Sequence, residues 1–248
     1  MPPVSTANIV LLLFTGVAAG FINTVAGGGS VISLPVLVEI VGASVANGTN
    51  RVAILMESAV GAASFHRGDK VPWRFVAPLL MPVILGAGAG AWIATLLSAE
   101  TMKRVFGIVI VLVALSMLVR PSRWLQEGEP RLREPWRGLV FFGIGFYGGF
   151  VQAGVGFLLL AGLVLIERLG LIRGNAAKVV LVLAYTPLSL FLFARAGQVD
   201  WAAGVALGGG SMTGALIASR LAIRRGAGWI RWVVIAAAMA AALRMLFT

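Results

Sequence analysis

Apolar runs follow one another along the whole chain, separated by short connections. Ten stand out, near residues 7–25, 30–43, 47–66, 74–97, 102–119, 137–153, 157–170, 176–195, 201–219 and 231–247. A helix needs about 20 apolar residues to span a bilayer. The second and seventh runs fall short of that, and each follows a glycine cluster: Gly27, Gly28 and Gly29 in one case, Gly154 and Gly156 in the other. Each glycine costs a helix interior roughly 1 kcal/mol against alanine, so three in a row predict a break. An apolar pair broken by glycines, with one short arm, predicts a re-entrant hairpin or broken helix. These hairpins cover residues 23–30 and 149–156.

The two hairpins belong to an internal duplication. A shift of 128 pairs Gly42 with Gly170, Asn47 with Asn175, Asn50 with Lys178 and Trp73 with Trp201. Ala26-Gly27-Gly28-Gly29 pairs with Ala153-Gly154-Val155-Gly156 at nearly the same shift. Each half holds five runs, an odd number, so the halves are expected to have opposite orientation. The predicted fold is an all-α polytopic membrane protein built as an inverted repeat of two five-segment halves, each starting with a glycine-broken hairpin. Residues 1–119 form the first repeat, 120–136 a linker and 137–248 the second.

Composition agrees with the pattern. Hydrophobic residues make up 59% and charged residues 12%, where soluble domains carry about 25% charged residues. Mean hydropathy is +0.97. The chain has no cysteine, which excludes thiol catalysis, iron–sulfur clusters and cysteine–zinc sites. The single histidine, His66, cannot build a multi-histidine metal site. With no triad, acid pair or metal cluster, the chain does not read as an enzyme and implies no cofactor.

The net charge of +11 is a topology signal. Most Lys and Arg sit in short connections, and no long basic segment with interleaved aromatics exists to grip nucleic acid. Fifteen of the 20 basic residues fall on one side of the membrane by segment parity. The positive-inside rule makes that side cytoplasmic, with the 120–136 linker on it and both termini outside. Residues 9–20 resemble the apolar part of a signal peptide, but no Lys or Arg precedes Arg51, so the segment is read as retained. Reporter fusions within 120–136 are expected to report cytoplasm, and fusions at Thr248 the outside. A cytoplasmic C-terminus would break the parity argument.

Three groups of residues could carry chemistry. The hairpins, with Asn23, Gly27, Gly28, Gly29, Gln152, Gly154 and Gly156, are expected to enter from opposite faces. Their tips would then meet at mid-membrane and offer unwound backbone to a ligand. Asn47, Thr49, Asn50 and Arg51 read as the start of a long helix, with Asn175 and Lys178 their counterparts. Helix starts favour anions, and two cations there add full positive charge. Glu57 lies near the middle of a spanning helix. An intramembrane acid is a functional hypothesis by default, here proton coupling. Its six-residue spacing from Arg51 predicts no direct pair. By contrast, Gly16, Gly20, Gly86, Gly90, Gly210 and Gly214 read as helix-packing residues, and Glu167 as paired with the adjacent Arg168.

At these residues the chain resembles the sulfite exporter TauE/SafE family. The matching stretches are AGFINTVAGGGSVISLPVL (19–37), ANGTNRVA (46–53), FYGGFVQAGVGFLLL (146–160), GNAAKVVLVLAYT (174–186) and AGQVDWAAGVALGGGSMTGALIASRLA (196–222). The resemblance implies a multi-pass protein of the bacterial inner membrane that exports a small anion such as sulfite or an organosulfonate. Its partners would be that anion and the lipid bilayer, with a homo-oligomer left open. The alternatives are a passive anion channel or a membrane subunit of a larger transport complex.

Overall fold

A computed structural model describes residues 5–116 and 130–225. The tenth run, most of the 120–136 linker, Trp124, Trp229 and Trp232 lie outside the described residues. Within them are nine helices and no strand: α1 (Thr6–Val25), α2 (Ser30–Val41), α3 (Ala43–Arg67), α4 (Trp73–Thr95), α5 (Ala99–Ser116), α6 (Trp136–Phe150), α7 (Val155–Leu165), α8 (Leu171–Arg195) and α9 (Trp201–Arg225). By length and composition α1, α4, α8 and α9 can cross a membrane, whereas α2 and α7 are short apolar arms. Breaks fall at both glycine clusters, where Gly27 and Gly154 take positive φ of 92° and 72°, a conformation open to glycine at little cost.

Small residues hold the bundle together. A Cβ on Gly16 would strike the backbone of Leu207, and one on Gly210 that of Leu13. Gly86 is pressed in the same way on Phe142, and Gly90 on Phe146. The six glycines assigned to packing therefore let α1 lie on α9 and α4 on α6. Both contacts run parallel, since Gly16 and Gly20 face Leu207 and Ser211, while Gly86 and Gly90 face Phe142 and Phe146. Under the repeat shift α1 corresponds to α6 and α4 to α9, so the same joint is made twice between the halves. Helices α3 and α8, also counterparts, cross in opposite senses: Gly61 meets Val179, but Gly48 meets Phe193.

Among the described residues the core forms a small buried apolar cluster of Leu160, Val164 and Leu171 and two large ones. One includes Phe65, Val76, Leu79, Phe141, Leu159 and Tyr185. The other includes Leu12, Leu34, Ala43, Met102, Phe193 and Leu207. Large apolar side chains such as Phe14, Met81, Trp92 and Phe191 are exposed. An apolar girdle of that extent suits lipid rather than water.

Two expectations are corrected here. Helices α3 and α8 begin at Ala43 and Leu171, one turn before Asn47 and Asn175. Their caps are Gly42 and Gly170, with no side-chain capping bond. Asn47, Thr49 and Asn175 are therefore not caps. They are fully buried, Asn47 and Thr49 against interior hydrogen-bond partners and Asn175 through its Oδ1 alone. Glu167 pairs with Arg137, not Arg168. It is fully buried and accepts from Nε at 2.7 Å and Nη2 at 2.8 Å. A bidentate guanidinium fork of this kind offsets the burial of a carboxylate.

Candidate functional site

A helix that stops inside a packed fold leaves its last carbonyls without partners, at about 1–3 kcal/mol each when buried. Both broken helices face this cost, and each is relieved by a side chain distant in sequence. The end of α6 exposes the carbonyls of Gly148, Gly149 and Phe150. Arg51 on α3 donates to Gly148 at 3.0 Å and Gly149 at 2.5 Å, and Asn47 donates to Phe150 at 2.8 Å. The end of α1 exposes Asn23 and Thr24, to which the Lys178 ammonium on α8 donates at 2.8 and 3.0 Å. A cation at a helix C-terminus also complements the helix dipole. The burial of Arg51 and Lys178 is thus first a matter of backbone satisfaction.

The hairpin tips touch. A Cβ on Gly27 would overlap the backbone of Gly156, and one on Gly156 the backbone of Gly27. Beside this contact lies a cavity of about 10 Å³, lined by Asn23, Thr24, Glu57, Ser58, Gln152 and Lys178 together with Val155, Gly156, Val179 and Val182. That is room for about one water and too little for a sulfur oxyanion.

Polar groups on the two sides of the cavity differ. On one side Glu57 accepts from Asn23 Nδ2 and from Ser211. Lys178 is electrostatically coupled to Glu57, although the two form no ion pair within 4.0 Å. The ammonium uses its third proton on Asn175 Oδ1 at 2.8 Å. On the other side Gln152 Oε1 accepts from Arg51 at 2.9 Å and from the Tyr185 hydroxyl at 3.1 Å. Arg51 is further held by Asn47 and stacked 5.0 Å from the Phe193 ring centroid. No Arg51–Glu57 bond forms, as the spacing predicted. Among the described residues three buried side-chain polar atoms have no partner, Arg51 Nε and Asn175 Nδ2 here and Ser189 Oγ further along α8.

Of the residues singled out in the sequence, Asn23, Glu57, Gln152, Gly156 and Lys178 meet at the cavity. Arg51 reaches it through Gln152. Gly27 forms the tip contact, Gly29 packs on Ala19, and Gly28 faces the Phe157 ring. Gly154 is the left-handed cap of α7. Thr49 and Asn50 serve as struts. Thr49 Oγ1 accepts from the Asp200 amide at 2.8 Å, ahead of α9, and Asn50 bonds Ser33 and Ser30 on α2. Sequence reasoning missed Thr24, Ser58, Tyr185 and Ser211. The repeat itself held the signal for Tyr185, which stands 128 residues after Glu57. No group of three or more metal-ligating side chains occurs among the described residues.

Comparison with known proteins places the chain among membrane transporters. A family model described as "Sulfite exporter TauE/SafE" matches residues 12–245. The chain is 28% identical to the probable membrane transporter protein ORF9 of Sinorhizobium sp, covering 95% of this chain and 92% of that one. It is 27% identical to the probable membrane transporter protein YfcA of Escherichia coli (strain K12), covering 97% and 91%. It is also 27% identical to the probable membrane transporter protein YjnA of Bacillus subtilis (strain 168), covering 89% and 91%. No solved structure matches the chain at a significant level.

Proposed function

Because the chain belongs to the sulfite exporter TauE/SafE family, we propose that it is a secondary transporter carrying a small anion, such as sulfite or an organosulfonate, outward across a bacterial inner membrane. In this reading residues 1–119 and 137–248 are inverted repeats, residues 120–136 a cytoplasmic linker, and both termini lie outside. The antiparallel crossing of α3 and α8 supports the inversion. The observation that carries the proposal is the reciprocal arrangement of cations and broken helices around one small cavity. Each half supplies a hairpin, and each half supplies the cation that completes the other's hairpin.

The closed tips and the small cavity fit a resting state between openings, and they disfavour a permanently open channel. All three Lys178 protons are engaged. An arriving anion therefore has to draw Lys178 from at least one carbonyl, which would couple anion binding to movement of α1. The partnerless donors Arg51 Nε and Asn175 Nδ2 are further groups that an oxyanion could satisfy once the site opens. Desolvating an anion is costly unless such donors replace its water.

Glu57 faces Lys178 from α8, Asn23 from α1 and Ser211 from α9. An ionised carboxylate beside the anion would oppose binding, so proton uptake at Glu57 would link anion flux to a proton gradient. The test is saturable sulfite or sulfonate flux into sealed vesicles, with and without imposed pH and voltage gradients. Linear, non-saturating flux would count for a channel, and no flux of any anion would sink the proposal. The Glu57→Gln variant is expected to bind anion normally while losing the pH dependence of flux. Unchanged pH dependence would remove Glu57 from the coupling role.

A further inference from the structure

A second cavity lies away from the hairpins, between the C-terminal parts of α3 and α9. It is a groove of about 550 Å³ lined by Ala59, Val60, Ala63, Ser64, Arg67 and Gly68 from α3 and its end, and by Leu216, Arg220, Ile223 and Arg224 from α9. Its polarity is graded. Ala59, Val60, Ala63 and Leu216 form an apolar end that is open to the surface, with Ala59 and Ala63 exposed and Val60 and Leu216 half-buried. Arg67, Arg220 and Arg224 gather at the far end and are exposed. From Ala59 to Arg67 the helix climbs eight residues, about 12 Å. None of the three arginines forms an ion pair among the described residues, and no acidic side chain lines the groove. This contrasts with Arg137, which two glutamates hold. Trp73 marks the depth of the arginine end. It is half-exposed at the start of α4 and meets His66, the neighbour of Arg67, edge to face at 6.0 Å. Tryptophan is enriched at the level of lipid headgroups.

We infer that this groove binds an anionic phospholipid, its phosphate among Arg67, Arg220 and Arg224 and an acyl chain along Ala59, Val60, Ala63 and Leu216. Cations scattered by the positive-inside rule alone need no shared apolar floor. A free oxyanion would gain from the arginines but not from that floor, whereas a phospholipid fits both ends. Basic pockets between transmembrane helices bind anionic headgroups on the same physical grounds.

Native mass spectrometry of the purified full-length chain tests this, with phosphatidylglycerol and phosphatidylcholine of matched chains added in turn. The unaltered protein should retain phosphatidylglycerol preferentially. Arg220→Gln combined with Arg224→Gln should cut that preference about 25-fold, at about fivefold per arginine. The corresponding double change to lysine should keep most of it. Should the glutamine pair fail to fold, Arg67→Gln alone, with an expected loss of about fivefold, carries the test. A further arm adds inorganic phosphate or sulfite without acyl chains, and neither should displace the lipid at millimolar concentration. An unchanged preference in the glutamine variants overturns the inference. So does displacement by the free anions, which would make the groove a collecting vestibule for a soluble oxyanion.

Discussion

Lys178→Ala is expected to abolish saturable anion flux at every pH and to destabilise the protein by about 2–6 kcal/mol, since each of two buried carbonyls left without a donor costs about 1–3 kcal/mol. Three losses combine. The carbonyls of Asn23 and Thr24 lose their donor, Asn175 loses its last partner, and Glu57 loses the cation coupled to it. Lys178→Arg retains the charge and is expected to recover stability better than flux, because a planar fork replaces a compact ammonium. Adding Glu57→Gln to Lys178→Ala should return part of the lost stability, since the uncompensated acid goes too. Thermal unfolding of the unaltered protein, Lys178→Ala, Glu57→Gln and the double variant gives the coupling between the two sites. Additive effects would separate Lys178 from Glu57, and full, stable transport by Lys178→Ala would separate it from both the hairpin and the anion.

The second large effect is expected at the tips. Gly27 and Gly156 are in backbone contact, so a Cβ on either has no flexible side chain to push aside. Overpacking of this kind costs about 1–3 kcal/mol, and Gly27 adds the strain of positive φ. Spent against the closed state, that energy shifts the closed–open balance about 5–150-fold. Gly156→Ala should therefore leave folded protein in the membrane and reduce gradient-driven accumulation of the anion at least about fivefold. Gly28 is the internal comparison. A Cβ there meets only the Phe157 ring, which can turn away, so Gly28→Ala should be milder. Vesicle accumulation assays on both variants check the order. Normal accumulation by Gly156→Ala would show that the tips are not a barrier.

Much of the helical layout was legible because a bilayer imposes long apolar stretches, and because glycine clusters are hard to place inside a helix. The breaks fall at Ala26–Gly29 and at Val151–Gly154, so Gly156 already belongs to α7. The packing role of Gly16, Gly86 and their partners followed from small residues spaced four apart. The polar start of α3 was misread for a physical reason. A run such as 47–51 looks like an interface unless one knows that free carbonyls of another helix lie beside it. Those carbonyls come from about a hundred residues away, and backbone acceptors leave no trace in residue identity. Glu167 was misassigned on the same account, since its partner Arg137 is 30 residues distant. Glu57, Lys178 and Gln152 could be named as candidates, but Ser58 is an ordinary serine until the fold brings it to the cavity, and Ser211 until it meets Glu57.

The reciprocal latches also set an order of events during synthesis. Arg51 and Asn47 leave the ribosome long before α6, so the second hairpin finds its donors waiting. Thr24 has no such provision, because Lys178 lies 154 residues downstream. At about 5–20 residues per second, the first hairpin stands roughly 8–30 s without its cation. Its carbonyl end must spend that interval near water or in the insertion machinery rather than in hydrocarbon. The nascent chain should therefore acquire its buried first hairpin only after α8 has been made, although that hairpin is the first part translated.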